Sequence, residues 1–544
     1  MQGTIEKDLR QETKNTGTTI QWDQGRFLAG FLKWSWIILI FAGIVQCIVW
    51  PYLKTAFAFF VILVAWRLVT RFVMRAQIIR EYPLSSFVIL GFSLSQYCFP
   101  LVFTLMEGKP VTYNLKLPFT VFVHSLLAIV VVISAHLFYR FLRKSRPILF
   151  NRFQLTLAKG GIFRAPGDAQ IWMMGIIGLA AMFYVYFYSP SVGNEVEGAG
   201  NKFIQGLIPF TYAPFYLLIK PMFGRYDVKK TPVLPFVIFV ILLFIVSIGR
   251  NSRGAFMFGF TGLGFGYIWG LLQGIFPGKI LTVKNLIIGG VCMWIITGPF
   301  ADLGTAMVIV RGERFDMTRS QLLSLTLEKY NDKKALAARK KFITEVSNTG
   351  WDEHYLDNVL LSRFTNLKFN DASLEISEKI GIDPVVQSFA IERPLAILPQ
   401  PFIDFLGLDI DKAKVNAGST GDILFERVGG SNAIGTFRVG HFAGVGMASF
   451  GWLYLVFLFI LIIPVFFLWD LLVIRVRVKS KRKKQFVFSM AVLLSMHTLY
   501  FFINFENVFF ILQFLIRNWI ELVLLYLFLF HCTRFATLLV RKRN

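Results

Sequence analysis

Apolar residues in this chain come in uninterrupted blocks of about 20, separated by short charged stretches, and that grain decides the fold class before any other feature is weighed. A helix of about 20 apolar residues crosses a hydrocarbon core of roughly 30 Å. Only helices and closed barrels satisfy their backbone in lipid, and these blocks are too long for barrel strands. Composition agrees, with 55% of the 544 residues hydrophobic and 16% charged. The expected fold is all-α: a polytopic membrane protein with about twelve transmembrane helices and one large extracytoplasmic loop of short helices. The 59 phenylalanines suit lipid-facing and packed membrane helices alike and decide nothing further.

The expected spans are 31–50, 55–72, 84–106, 119–140, 171–189, 203–221, 232–249, 254–276, 286–304, 449–474, 485–503 and 516–536. They divide the chain into a tail (1–30), nine helices (31–304), the large loop (305–448), three helices (449–536) and a basic tail (537–544). The first span lacks the short apolar core and small-residue cleavage site of a signal peptide.

Cytoplasmic loops carry an excess of Lys and Arg. Taken alternately, one set of connections is strongly basic: Arg71, Arg75 and Arg80; Arg140, Arg143, Lys144, Arg146, Arg152, Lys159 and Arg164; Lys220, Arg225, Lys229 and Lys230; Lys279 and Lys284; and the run Arg475 to Lys484. The opposite set is short or acidic, as in "EGKPVTYNLKLP" and "SPSVGNEVEGAGNK". Both termini are therefore expected in the cytoplasm and the large loop outside. The loop holds 17 Lys and Arg against 18 Asp and Glu, so the net charge of +25 sits mainly in the basic connections. There it serves anionic lipid and topology, and a nucleic-acid partner is not expected.

Two outward regions stand out. "SIGRNSRGAFMFGF" places Arg250 and Arg253 in a short outer connection, against the charge bias, with Gly249 and Gly254 allowing close backbone approach. Snorkelling at a helix end is the alternative reading of this pair. In the large loop, "RSQLLSLTLEKYNDKKALAARKKF" reads as a helix lying on the membrane or packed on the rest of the loop. Arg363 falls in a second short helix. "AIERPLAILPQPFIDFLG", headed by Glu392 and Arg393, is apolar and proline-punctuated, so it should hug or re-enter the membrane surface. A Gly-, Ser- and Thr-rich stretch follows, carrying Asp422, Glu426, Arg427, Arg438 and His441. It suits a binding loop for a hydroxyl-rich ligand or a flexible surface loop.

"GRNSRGAFMF" resembles the Ser-Arg-Gly element of Wzy-type O-antigen and exopolysaccharide repeat-unit polymerases. The large loop ending in "IGTFRVGHFAGVGMASFGWLYLVFLFILIIP" is similar to their glycine-rich entry into a late span, and "LVFTLMEGKPVTYNLKLP" and "FLIRNWIELVLLYL" add to the likeness. In that family the arginines are commonly paired in external loops; here they are dispersed. The resemblance implies polymerisation of lipid-linked oligosaccharide repeat units into a surface polysaccharide at the outer face of the cytoplasmic membrane, by glycosyl transfer from a polyprenyl-pyrophosphate donor. The implied partners are an undecaprenyl-pyrophosphate-linked oligosaccharide, the bilayer, a chain-length regulator and a flippase. An O-antigen ligase and a polysaccharide or lipid transporter remain as alternatives, although charge gathered at one face favours surface chemistry over alternating access.

That chemistry needs cations against the departing pyrophosphate, for which arginine's planar fork is suited, and a base for the acceptor hydroxyl. The candidate substrate-binding residues are Arg250, Arg253, Arg363, Arg393, Arg427 and Arg438. The candidate bases are His441, Asp422, Glu392 and Glu506. No metal or other cofactor is called for. Asp409 and Asp411 read as solvated carboxylates. Gly262, Gly266 and Gly270 read as a helix-packing stripe, and His124, His136 and His497 as hydrogen-bonded core residues. The four cysteines share no ligand-like spacing, and none lies in the large loop, so no disulfide stabilises it.

Overall fold

Apolar blocks without internal proline fold as single helices, as lipid requires of backbone polar groups. The computed structural model describes residues 25–188, 199–225, 232–249, 253–276, 287, 298–310, 319–338, 351–430, 433–478 and 483–543. Within them, α1 (Gly25–Val49), α2 (Leu53–Phe72), α3 (Pro83–Met106), α4 (Pro118–Ser145) and α5 (Asp168–Phe187) follow the expected spans. After α6 (Ala199–Leu207) and a 3₁₀ segment (Ile208–Phe223) come α7 (Val233–Gly249) and α8 (Arg253–Leu272). The loop region contributes α9 (Leu367–Ile380), α10 (Pro384–Leu395) and α11 (Thr420–Arg427). Then follow α12 (Phe442–Phe450), α13 (Tyr454–Asp470), a hairpin of β1 (Val473–Val478) and β2 (Lys483–Phe488), α14 (Met490–Leu494) and α15 (Met496–Tyr500). The last helix, α16, begins at Phe510–Gln513, widens into a π turn at Phe514–Asn518 and continues over Trp519–Arg543.

Eight of the described helices are long and apolar enough to cross a membrane, and α7 offers a shorter apolar stretch, Val233–Ser247. The fold is thus that of a mostly helical, multi-pass membrane protein. Three expected spans take another form, and a fourth is mostly outside the described residues. Most of 286–304 lies outside the described residues, with only Pro299–Ile309 seen as a helix. The candidate span Phe442–Asp470 is bent at Gly451 (φ 56°), which separates α12 from α13. The expected span 485–503 is part β-strand and part broken helix, with β1 and β2 paired antiparallel from Val473↔Phe488 to Val478↔Lys483. The expected span 203–221 is α6 running into the 3₁₀ segment.

The 3₁₀ segment has a physical reason. Pro209, Pro214 and Pro221 each remove a backbone donor and obstruct a regular α ladder. A 3₁₀ helix rises about 2.0 Å per residue against about 1.5 Å in an α-helix, so a shorter stretch covers the same height. It is wedged between two glycine-bearing helices. A Cβ on Gly262 would come within 2.7 Å of the Tyr216 hydroxyl, on Gly266 within 3.1 Å of Ile219, and on Gly270 within 2.7 Å of Met222. The small-residue stripe read from the sequence is thus a packing face of α8. On the other side, a Cβ on Gly178 of α5 would lie 2.1 Å from the Thr211 backbone nitrogen.

Contacts sort the connections onto two faces. On one, the turn after α3 joins the large loop: Glu107 accepts from the Asp357 and Asn358 amides, Lys109 pairs with Asp357 at 2.7 Å, Asp371 accepts from the Lys116 and Leu117 amides, and Tyr355 donates to Val111. The loop region has a core of its own that includes Trp351, Ile376, Val386, Leu424 and Val445. On the opposite face the basic connections gather. Lys220 and Arg225 pair with Asp168, and Gln154 donates to the Val473 carbonyl at 2.7 Å. There Asp470 is buried at the end of α13, accepting from the Leu84 and Ser85 amides, the Ser85 hydroxyl (2.8 Å) and the Tyr139 hydroxyl (3.0 Å), with Arg143 3.7 Å away. The grouping agrees with the alternate charge bias. Single cysteines at Lys379, in a chain freed of native thiols, and at Arg152 are accordingly expected to label with an impermeant maleimide from opposite sides of the membrane. Labelling of both from one side would contradict the arrangement.

Candidate functional site

Four pieces of chain distant in sequence meet on the loop face. They are the end of α10, the start of α11, the strand-like entry into α12 and the turn at 504–507. Asn507 donates to the Ala390 carbonyl at 2.5 Å and the Phe442 amide to the Phe505 carbonyl at 3.2 Å, which fixes the turn against α10 and α12. At the start of α11 the Thr420 amide (3.2 Å) and hydroxyl (2.5 Å) both donate to Glu506, so this carboxylate sits where a helix N-terminus favours an anion.

Arg393 and Glu506 carry the electrostatics of this corner. Burial lowers the Arg393 pKa, opposed by Glu506 and Asp422. Burial raises the Glu506 pKa, opposed by Thr420 and Arg393 and reinforced by Asp422. Yet no hydrogen bond or salt bridge joins Arg393 to Glu506 among the described residues. The Arg393 Nη1 is buried and donates to no atom among the described residues, while its guanidinium lies over Phe389 and Phe510, 5.5 and 5.6 Å from their ring centres. A buried cationic donor without a partner is costly, and such a group is commonly explained by a ligand or solvent it serves.

His441 supplies a second unfilled donor. Its Nδ1 accepts from the Ala443 amide at 3.2 Å, which places the proton of the neutral ring on Nε2. That Nε2 is buried and has no partner among the described residues, and burial together with nearby His124 depresses the pKa to about 3. In this state His441 is a hydrogen-bond donor rather than a base, because its accepting nitrogen is already engaged.

Asp422 is placed for another task than proton transfer. It is fully buried; one oxygen accepts from the Thr436 hydroxyl (2.7 Å) and the Arg438 amide (2.9 Å), the other from the Phe437 (2.9 Å) and Ser419 (3.1 Å) amides. Burial pushes its pKa up, but these hydrogen bonds outweigh it and leave the carboxyl more acidic than usual. Arg438 folds back on the same turn, donating to the Ala433 carbonyl at 2.9 Å and stacking 4.2 Å over Phe425. Arg427 binds Asp383 at 2.7 Å, the residue that caps α10, and Glu392 accepts from Ser388 on its own helix. These residues hold the loop together. Asp411 likewise caps a helix, accepting from the Ala413 and Lys414 amides.

Comparison with protein-family models, with curated proteins and with solved structures yielded no match. The site is therefore read from its own geometry.

Arg250 and the side chain of Arg253 lie outside the described residues, but Arg253 opens α8. Arg363 reaches this helix end, since a Cβ on Gly254 would stand 3.5 Å from its Nη1. Beside it, His497 meets the Thr261 hydroxyl at 2.9 Å and the Phe258 ring at 4.2 Å. Phe364, next to Arg363, packs on Phe501 (5.9 Å), so the Arg253 corner adjoins the segment that leads to Glu506. Sequence reading did not select Thr420. The signal was there in Ser419-x-x-Asp422, a capping-box pattern that marks a helix start, and the structure forms that box. The helix Arg319–Asn331 packs on the helix Pro299–Ile309, which straddles the end of the expected span 286–304 and the start of the loop.

Proposed function

We propose that the protein is a membrane glycosyltransferase that extends a lipid-linked oligosaccharide, polymerising repeat units carried on polyprenyl pyrophosphate into a surface polysaccharide on the loop side of the membrane. The observation that carries the proposal is the buried, unfilled Arg393 Nη1 within electrostatic reach of Glu506, on the loop face of a multi-pass bundle. In this reading an acceptor sugar hydroxyl attacks the anomeric carbon of the donor chain. The new glycosidic C–O bond forms as the anomeric C–O bond to pyrophosphate breaks. The electron pair leaves with the pyrophosphate, and the hydroxyl proton passes to Glu506.

Each side chain has a matching task. Arg393 stabilises charge as it develops on the departing oxygens, where a preorganised cation is worth most. The raised pKa of Glu506 brings it closer to working pH, which improves a general base. The Nε2–H of His441 donates to a sugar or phosphate oxygen. Arg363, with the chain entering α8 at Arg253, supplies further positive charge for the second lipid-linked unit.

The test is the surface-glycan size ladder in a deletion strain. Complementation with wild type is expected to restore the full ladder, whereas Glu506→Gln restores only the single-repeat species. Loss of all surface glycan in the deletion strain would favour a ligase or a flippase. An unchanged ladder would contradict the polysaccharide reading for that glycan.

A further inference from the structure

Charged groups on the lipid-facing surface of a membrane helix are costly, and where they persist they mark a function. Arg517 and Glu521 lie on α16 inside a candidate membrane span, joined Nε to Oε2 at 2.9 Å, and both side chains keep about a third of their exposure (33% and 28%). Together with Lys202 and Phe203 of α6 they line a groove of about 370 Å³ whose floor includes Ile520 and Leu524. Arg517 stands in the π turn, a local widening often found at functional positions. Lys202 forms no ion pair among the described residues. A third cation, Lys412, lies close enough for Lys202 to depress its pKa, after the larger effect of burial.

The groove combines a positive head with an apolar track. Ile520, Leu524 and Phe528 recur every fourth residue down α16 and are 45%, 60% and 53% exposed. Phe510, the first residue of the same helix, lies under the Arg393 guanidinium, and Arg517 lies seven residues further on, about 10 Å along the helix at the usual helical rise. Basic pockets between membrane helices take lipid head groups.

We infer that this groove is a docking site for the polyprenyl pyrophosphate carrier, its phosphates on Lys202 and Arg517 and its chain along Ile520 and Leu524, with the monophosphate as the probe that shares its head and chain. This rests on the glycosyl-transfer reading, because the shared helix leading to Arg393 is what favours a substrate lipid over a bulk phospholipid. Glu521 holds Arg517 in place when the groove is empty and competes with the phosphate for it.

The test is native mass spectrometry of the purified full-length protein with polyprenyl monophosphate, in competition with phosphatidylglycerol. Lys202→Gln with Arg517→Gln is expected to lower polyprenyl phosphate binding at least about tenfold, as loss of two charge-assisted contacts should. Glu521→Gln, which removes no cation, is expected to keep or strengthen binding, and phosphatidylglycerol at equal mole fraction should not displace the lipid. Unchanged binding in the double variant, loss of binding in Glu521→Gln, or equal displacement by phosphatidylglycerol would each overturn the assignment. None of these results depends on glycan synthesis: a normal wild-type ladder alongside unaltered lipid binding would sink the groove alone, and an absent role in the ladder would sink the polymerase alone.

Discussion

Arg393→Gln is expected to slow glycan elongation by about 10²–10³-fold, the usual cost of removing one preorganised group that meets charge in a transition state. Its melting temperature should stay near that of the wild type. The reason is the state of Nη1, which is buried and without a hydrogen-bond partner among the described residues, so replacing it breaks no hydrogen bond there. What is lost in the resting state is stacking on Phe389 and Phe510 and the favourable field at Glu506, set against relief of a buried, unpartnered charge. Arg427→Gln provides the contrast. It breaks a 2.7 Å bond to the cap of α10 and should lower the melting temperature while leaving elongation within a few-fold of wild type. If both variants lost activity in proportion to stability, Arg393 would be a structural residue.

Asp470→Ala is expected to be the most destabilising single substitution on the basic face, at about 3–5 kcal/mol, because it strands partners of a buried carboxylate. Two amides at the start of α3, the hydroxyls of Ser85 and Tyr139 and the Arg143 guanidinium all converge on this one group. Tyr139→Phe removes only one of them and should cost about 1 kcal/mol. Unfolding of the purified protein in mixed micelles checks both values. A loss for Asp470→Ala no larger than for Tyr139→Phe would mean that the network does not hold α3, α4 and α13 together.

Much of the architecture was legible because lipid leaves few choices. Blocks such as 53–72 and 168–187 contain neither proline nor a charge cluster, and each became one helix. Pro209, Pro214 and Pro221 signalled trouble in 203–221, but a window of apolar residues cannot tell a wedged 3₁₀ segment from an α-helix. The same holds for 485–503, where apolarity is real but the regular helix is not. Its first residues instead pair with Val473–Val478, and the remainder is packed deeply enough that short helices suffice.

The site was legible in residue types and not in their partners. Arginines and carboxylates near the membrane surface could be counted, yet nothing local distinguishes Arg393 from Arg427 or Arg438. The difference lies in the partners the fold supplies: Asp383, 44 residues away, reaches Arg427, Ala433 on the same turn reaches Arg438, and among the described residues no acceptor reaches Arg393 Nη1. Asp422 and Glu506 differ in the same way. One is saturated by four amide and hydroxyl donors on a tight turn; the other accepts, among the described residues, from Thr420 alone, with both bonds on one oxygen.

The most direct measurement of the central claim is an elongation assay with the purified protein and a synthetic lipid-linked repeat unit in nanodiscs. The account predicts products longer by whole repeats, with polyprenyl pyrophosphate released for each linkage and elongation nearly abolished in Arg393→Gln. Intact substrate in the presence of folded wild-type protein, or substrate merely moved between leaflets, would contradict it.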